Sequence, residues 1–189
     1  KIDVRVNWSE KEKLIKLKVP SAFCATECIG EHPYGRELLK NGLEENVSQK
    51  YTAICSKDSA ILAVNNGVYG SSFDDVNGEL HITLMRSPSY CAHPVDDRVV
   101  MPQDRAMPYI EQGERDFSFE FVFGDRKDVL DNASRIAQHF NVQPMVLSFY
   151  PTGIGSLPES PISIMDNEIV NITAFKKAEN SDDYIIRLF

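Results

Sequence analysis

The residues of this sequence with the clearest chemical potential lie where a strand ends in an arginine. Apolar and polar residues alternate from 80 to 84, and after Met85 the residue Arg86 opens a proline-bounded loop that contains Tyr90 and His93. A guanidinium at a strand end can donate hydrogen bonds to ligand hydroxyls or to a carboxylate, and a tyrosine in the same loop can stack or donate. The alternative is that Arg86 pairs with an aspartate of the chain while Tyr90 packs beneath the loop.

Two groups of cysteine and histidine have the residue types of a metal site. Cys24, Cys28 and His32 would share one face of a helix, but the surrounding residues lack helical periodicity. Cys91 and His93 are separated by one residue in a loop, and the sequence has no Cys-x-x-Cys pair. A structural zinc site typically takes four such ligands, so we predict no metal site in this chain.

We predict no catalytic residue in this chain, from the arrangement of its carboxylates and from its lack of a nucleophile motif. Its adjacent aspartates are Asp74-Asp75, Asp96-Asp97 and Asp182-Asp183. General acid/base catalysis needs two carboxyl groups on opposite sides of a substrate, whereas adjacent aspartates in turns are usually solvated. The sequence also lacks a Gly-x-Ser-x-Gly motif, and its four cysteines are expected to be free thiols rather than disulfides.

Composition predicts one globular domain over residues 1–189. The sequence is 42% hydrophobic and 25% charged, which is typical of such domains. Its formal net charge of -8 argues against a nucleic-acid partner or an anionic membrane surface. Because it has no run of about 20 apolar residues and no signal peptide, we expect a cytoplasmic protein. Both ends fall inside predicted strands, so we expect an excised fragment of a larger chain.

Most of the chain has the period of two that is typical of half-buried strands. Residues 4–8 and 15–19 predict two antiparallel strands with one solvent-exposed face, connected by residues 9–13. The segment 30–50 contains several glycines and is interpreted as an irregular surface excursion. Further strands are predicted at 51–54, 60–64, 67–73, 79–85, 117–123, 145–149, 162–164, 170–175 and 184–189.

Turn and helix signals complete the predicted fold. The dipeptides Asn66-Gly67 and Asn77-Gly78 predict hairpin turns, and the second should join two predicted strands. Residues 126–140 have apolar side chains at helical spacing, with Asp125 as the N-terminal cap and Asn141 at the exit. Phenylalanines alternate from 117 to 123 and are expected in the core. Many short strands with one helix predict an all-β antiparallel sandwich.

Several segments taken together resemble the C-terminal β-domain of family 38 α-mannosidases. The resemblance extends along nearly the whole chain, and the matching segments occur in the order of the family. They are Val6-Asn7-Trp8 with Lys16-Leu17-Lys18, Gly67-Val68-Tyr69-Gly70, Leu80 to Pro88, Gln112 to Phe117, Asn171 to Glu179 and Ile185 to Leu188. The segment from Tyr90 to Ile110 resembles the corresponding segment of a bacterial branch of the family. The chain departs from the family at Glu111, where an aspartate is more usual.

The resemblance implies a galactose-mutarotase-like supersandwich that packs on the catalytic domain of the same polypeptide. It also implies an enzyme that hydrolyses terminal α-mannosyl residues by a retaining mechanism, with a zinc ion and an aspartate nucleophile in a preceding domain. This chain would then hold no catalytic residue, no metal and no cofactor, and would be inactive alone. Its expected role is to shape the mannose site, where Arg86, Tyr90 and His93 would contact the α-mannoside substrate.

Two other classes of function fit the sequence less well. A self-contained carbohydrate-binding module needs an exposed aromatic platform, and Trp8 is better explained by packing within a strand. A sugar mutarotase-like enzyme needs a histidine and a glutamate that face one sugar. The four histidines of this chain lie in no matching motif.

Overall fold

The structure is a computed structural model of the chain, and it describes residues 1–88, 112–148, 150, 153, 170 and 172–189. The chain packs into two compact units, Lys1–Asn141 and Val142–Phe189. The count of one domain over residues 1–189 stays a prediction. Within the described residues, no helix has the length and apolar character that a membrane span requires.

Antiparallel strands dominate the described part of the chain, which confirms the predicted all-β class with one helix. In chain order the elements are β1 (Ile2–Trp8), β2 (Leu14–Pro20), β3 (Glu27–His32), β4 (Gly35–Leu38), β5 (Glu45–Val47), β6 (Tyr51–Cys55), β7 (Ser59–Asn65), β8 (Gly70–Asp74), β9 (Glu79–Arg86), β10 (Gly113–Asp125), α1 (Arg126–Asn141), β11 (Ile172–Lys177) and β12 (Tyr184–Leu188). All of the pairings between these described strands are antiparallel.

The described part of the first unit contains two sheets. The six-stranded sheet has the order β1-β10-β7-β6-β3-β4, and the four-stranded sheet has the order β2-β9-β8-β5. The strand β10 has 13 residues and pairs with β1 on one side and β7 on the other. It therefore links the edge of the six-stranded sheet to its centre.

One hydrophobic core lies between the two sheets. Phe119 of the six-stranded sheet is 0% exposed, and Phe73 and Leu80 of the four-stranded sheet pack in the same cluster. Because side chains alternate along each strand, every second residue faces the other sheet and the intervening ones face away. The two inner faces form the core of a sandwich, as the sequence predicted.

A second hydrophobic core lies on the other face of the six-stranded sheet. There α1 buries Val129, Ala133 and Ala137 in one cluster with Leu62 of β7. The central strand β6 is buried at all five positions because one face meets the sheet and the other meets the helix. As far as the structure describes it, the first unit thus has three layers, with the six-stranded sheet in the middle.

Both ends of the helix are capped as predicted. Oδ1 of Asp125 accepts hydrogen bonds from the backbone N–H groups of Lys127 at 2.9 Å and Asp128 at 3.3 Å. These bonds satisfy donors that the first turn of a helix leaves without partners. At the other end, Nδ2 of Asn141 donates to the carbonyl of Ala137 at 2.9 Å.

The strands predicted at 4–8 and 15–19 are present but do not pair with each other. β1 pairs with β10, whereas β2 pairs with β9, so the two successive strands belong to different sheets. The connection at residues 9–13 consequently crosses from one sheet to the other. Alternation shows which face of a strand is buried, but it does not identify the neighbouring strand.

The prediction of an irregular excursion at 30–50 is wrong, because three strands occupy this region in whole or in part. β3 runs into it, and β4 and β5 lie within it. β4 is exposed along its whole length and β5 has only 3 residues, so neither produces a long alternating pattern. Gly30 further weakens the signal of β3, since glycine is depleted in strands.

Gly30→Ala is expected to lower the free energy of unfolding by about 1 to 3 kcal/mol, because the added methyl overpacks the core. A Cβ at Gly30 would lie 2.8 Å from Cδ1 of Leu39 and 2.8 Å from Cβ of Ser48. Gly35→Ala is the matched control, since no atom lies within 4 Å of its added Cβ. Urea denaturation measures both variants, and equal losses would contradict close packing at Gly30.

Only one of the two predicted Asn-Gly turns forms a hairpin. Asn77-Gly78 connects β8 to β9, with a φ of 67° at the glycine and a hydrogen bond of 3.1 Å from the Asn77 backbone N–H to Asp74 Oδ1. Asn66-Gly67 instead leads from β7 in one sheet toward β8 in the other. An Asn-Gly turn can change sheets as well as close a hairpin, because its glycine supplies a positive φ, which is 127° at Gly67.

The phenylalanines of β10 are buried to different extents. Phe117 and Phe119 are buried and Phe121 packs at the edge of the same cluster, which confirms that they belong to the core. Phe123 is 66% exposed, so the core prediction is wrong at this position. Alternation sets the face on which a side chain lies, but the extent of the opposing sheet determines whether that face is covered.

The described part of the second unit contains one hairpin, in which β11 pairs with β12. These strands confirm the predicted strands at 170–175 and 184–189, with shifts at their ends. No strand forms at residues 145–148, where the sequence predicted one, and Met145 there is 92% exposed. Residue 149 and the predicted strand at 162–164 lie outside the described residues.

Candidate functional site

A groove lies where strand ends of the two sheets approach each other. Its cavity volume is about 530 Å³, and residues of both sheets line it. Leu14, Thr83 and Arg86 come from the four-stranded sheet, and Arg115 and Phe117 come from the six-stranded sheet. Loops and strand ends on a rigid sandwich are common positions for binding residues, so this groove is the candidate site.

Arg86 is the last residue of β9, as the sequence predicted, and its side chain is exposed where it lines the groove. Its register partner is Leu14 at the start of β2, which is 52% exposed. The other two predicted substrate contacts, Tyr90 and His93, lie outside the described residues. The structure therefore places only Arg86 of the three predicted residues at the groove.

Ser87 fixes the strand end directly after the arginine. It is 0% exposed, and its hydroxyl accepts a hydrogen bond from Nε1 of Trp8 at 3.1 Å and donates to the carbonyl of Glu10 at 2.6 Å. Its backbone N–H donates to Lys13 at 2.9 Å, and its carbonyl accepts from Glu12 at 2.7 Å. These four bonds hold the backbone next to Arg86 in one position. Trp8 itself packs against the core between the two sheets, which confirms its predicted packing.

A second segment reaches the same connection. Nε2 of Gln112 donates to the carbonyls of Ser9 at 3.0 Å and Glu10 at 3.1 Å. The segment at residues 86–88 and the Gln-Gly segment before β10 thus both bind residues 9–13. The sequence did not predict this contact, because the bonded residues are separated by more than 100 positions.

Arg115 is a residue of the groove that the sequence analysis missed. It lies two residues before Phe117 on β10, so both side chains are on the face that meets the other sheet. Phe117 is buried, whereas Arg115 is exposed beside the groove. Arg115 precedes Phe117 by two residues, in the same alternation as the phenylalanines. This spacing could have predicted that a charged residue continues the apolar face of the strand.

Tyr69 and Glu45 add an aromatic and an acidic group to the groove. Tyr69 is 55% exposed, and its ring offers a face on which a ligand can stack. Glu45 forms an ion pair with Lys16, and its Oε2 accepts a hydrogen bond from Oγ1 of Thr83 at 3.4 Å. The carboxylate of Glu45 is therefore already engaged by residues of the chain.

The cysteines and the histidine at positions 24, 28 and 32 do not form a metal site. Cys28 and His32 lie in strand β3 rather than on a helix, and Cys28 is buried while Cys24 is exposed. Burial raises the pKa of the Cys28 thiol to about 12 and that of Cys55 to about 11. Cys24, Cys28 and Cys55 are free thiols, as predicted, and Cys91 lies outside the described residues.

Two of the aspartate pairs have structural partners. Asp74 accepts hydrogen bonds from the side chain and the backbone of Asn77, and these bonds hold the pKa of the carboxyl below its usual range. Asp75 accepts from the backbone N–H of Gly42 at 3.2 Å, and Asp182 forms an ion pair with Lys177 at 2.6 Å. The pair at 96 and 97 lies outside the described residues.

Two histidine and glutamate pairs occur in the described part of the chain. His81 lies 3.5 Å from Glu79 on β9, and His32 lies 3.1 Å from Glu37 across β3 and β4. None of the four residues lines the groove.

The fold has close counterparts among solved structures. One is a protein in the glycosyl hydrolase family 38 from Enterococcus faecalis, with a TM-score of 0.74 at 15% sequence identity. Another is an alpha-mannosidase from Enterococcus faecalis V583, with a TM-score of 0.72 at 14% identity. Comparison of the sequence with protein-family models and with curated proteins gave no match in either case.

The extent of the match defines what these counterparts share with the chain. Each alignment covers 99% of this chain but only 22% and 21% of the two solved chains. The chain thus has the fold of one part of these larger proteins. The resemblance to family 38 α-mannosidases that the sequence motifs indicated is confirmed at the level of fold.

Proposed function

We propose that this chain is the non-catalytic C-terminal β-domain of a bacterial, cytoplasmic family 38 α-mannosidase. The whole enzyme would hydrolyse terminal α-mannosyl residues of oligosaccharides, and this domain would pack on its catalytic domain. The observation that carries the proposal is the fold match over 99% of the chain to about a fifth of two such proteins. The order of the sequence motifs supports it independently.

The proposal places the zinc ion and the aspartate nucleophile in the catalytic domain. Among residues 1–88, 112–148 and 172–189, no three His, Cys, Asp or Glu side chains are grouped to hold a metal ion. The described residues of this chain therefore do not fit a zinc site, and no chemical step is assigned to them. Their role would be to bind and orient the sugar at the edge of the catalytic site.

Arg86 is the described residue best placed for that role. Its guanidinium has donors in a fixed geometry that suits sugar hydroxyls. The bonds around Ser87 fix the backbone beside it, so less conformational entropy is lost when a ligand binds. In the proposal, Tyr90 and His93 on the following loop contact the same substrate.

Arg86→Ala in the full-length enzyme is expected to lower kcat/KM for an aryl α-mannoside by about 10- to 100-fold. This range corresponds to the loss of a hydrogen bond from a charged group to the transition state. The matched control is Arg135→Ala, because Arg135 is a helix residue whose guanidinium donates to Oδ1 of Asn132. Steady-state kinetics and thermal melting of each variant separate a loss of binding from a loss of folding.

An unchanged kcat/KM for Arg86→Ala, with the melting temperature also unchanged, would contradict the assigned contact. A similar fall in Arg135→Ala would show that the effect is not specific to the groove. In either case, the fold assignment would stand while the assigned contact between Arg86 and the sugar would be lost.

One observation favours a second candidate function, a self-contained carbohydrate-binding module. Tyr69 is 55% exposed in the groove and gives a sugar ring a surface for stacking. Titration of the 189-residue chain with mannose, followed by NMR, tests this candidate. Binding at about millimolar affinity or tighter would favour a module that works alone, since a shaping domain needs the other domain to complete its site.

A further inference from the structure

Among the described residues, the lining of the candidate groove has more positive than negative side chains, although the protein is acidic. These charged residues are Arg86, Arg115 and Glu45, whereas the whole chain has a formal net charge of -8. A groove with walls of low polarity concentrates the field of such charges and selects ligands of opposite sign. The charge balance of this groove is therefore informative about what it binds.

The positive charge of Arg115 is not neutralised by its neighbours on β10. Glu114 and Asp116 lie on the opposite face of the strand, where Arg5 binds them at 3.5 Å and 2.7 Å. Arg115 is paired in register with Val6, an apolar residue at the edge of the core. Within the described part of the chain, no carboxylate lies within 4.0 Å of its guanidinium.

The carboxylate within the groove is also committed to other partners. Glu45 pairs with Lys16, which in turn donates to the hydroxyl of Ser72 at 2.7 Å. A second groove of about 560 Å³ lies beside the start of α1. There Arg126 binds Glu27 at 2.6 Å and Lys127 binds Asp131 at 2.8 Å, so these two cations have carboxylate partners, which Arg115 lacks among the described residues.

The surroundings of Arg115 are suited to strong binding of an oxyanion. Phe117 lines the same groove, together with the exposed ring of Tyr69 and the exposed side chain of Leu14. Apolar walls lower the local dielectric, so a bond between a guanidinium and an oxyanion is stronger there than on an open surface. Guanidinium also matches carboxylate and phosphate oxygens with two parallel donors.

We propose that Arg115 makes this groove a site for a sugar that carries an oxyanion, either a phosphate or a carboxylate. The sugar part of the ligand rests on the proposed function, whereas the anionic part rests on the groove itself. Arg86 would donate to the same ligand, but the site does not require it to be free of other partners. The groove would thus set a preference for charged over neutral sugars.

The test is an NMR titration of the 189-residue chain with mannose, mannose 6-phosphate, mannuronic acid and inorganic phosphate. At least one of the two charged sugars is expected to bind about tenfold or more tightly than mannose, and added salt should reduce this difference. Arg115→Gln should abolish the difference. Arg135→Gln removes the same charge from the helix surface and should leave it unchanged, and thermal melting verifies that both variants are folded.

Equal affinity for charged and neutral sugars, or no binding of either charged sugar, would overturn the proposal. The same conclusion would follow if folded Arg115→Gln kept the preference. If Arg115→Gln does not fold, the comparison among ligands in the unmodified chain still decides the outcome. Binding of mannose without any charge preference would refute the role of Arg115 and favour the self-contained carbohydrate-binding module, whereas the kinetics of Arg86→Ala in the full-length enzyme test the proposed function separately.

Discussion

Phe119→Ala is expected to lower the free energy of unfolding by about 3 to 5 kcal/mol, because it removes a large side chain from a packed core. Phe119 is 0% exposed and lies in the cluster between the two sheets. Its ring centroid is 6.1 Å from that of Phe121, so the substitution also removes an aromatic contact. Neighbouring side chains are held by two sheets and can fill the resulting cavity only in part.

Urea denaturation followed by circular dichroism measures this loss. Phe123→Ala is the matched control, since Phe123 is on the same strand and has the same side chain but is 66% exposed. The free energy of unfolding of the control is expected to fall by no more than about 1 kcal/mol. Comparable losses in the two variants would contradict the position of the core between the sheets.

Leu62→Ala is expected to lower the free energy of unfolding by about 2 to 5 kcal/mol. Leu62 is 0% exposed in β7, and it belongs to the cluster that includes Val129 and Ala133 of α1. The helix depends on this packing, because most of the stability of helices in proteins comes from the burial of their apolar face. The variant should therefore lose helical signal in the same transition as the sheets.

The control for Leu62→Ala is Leu43→Ala, since Leu43 is 50% exposed. This substitution is expected to lower the free energy of unfolding by about 1 kcal/mol or less. Far-ultraviolet circular dichroism and intrinsic fluorescence should give coincident unfolding curves in the Leu62 variant. A separate early transition of the helix would contradict its role as an integral third layer. It would mean that α1 docks on a sandwich that is stable without it.

The local signals of the sequence predicted most of the elements. The helix was predicted within one residue of its observed end, because spacing of three and four residues is sustained over four turns and Asp125 supplies a cap. The alternating segments became β1, β2, β9 and β10. These patterns depend only on neighbouring residues, so they can be recognised without knowledge of the tertiary structure.

Strand partners and short strands could not be predicted in this way. β1 and β2 are adjacent in sequence but lie in different sheets, and nothing in their alternation distinguishes this arrangement from a hairpin. β4 and β5 are held by neighbouring strands rather than by an apolar pattern of their own. The strand predicted at 145–149 had an apolar run but no observed pairing over residues 145–148.

The candidate site was predictable in part. A strand ending at Arg86 follows from local alternation, and the structure confirms it. The contacts that fix this strand end, from Trp8 and Glu10 to Ser87, join residues 77 or more positions apart and leave no local pattern. Arg115 had a local signal, but its role depends on both sheets meeting at the groove.

The most direct measurement of the central claim is the hydrolysis of an aryl α-mannoside by two proteins. One is the 189-residue chain, and the other is the longer polypeptide in which we propose that it lies. Each is assayed with zinc added and with zinc removed by a chelator. The proposal predicts zinc-dependent turnover by the longer polypeptide and none by the 189-residue chain under either condition. Zinc-dependent turnover by the chain alone, or no turnover by the longer polypeptide, would contradict it.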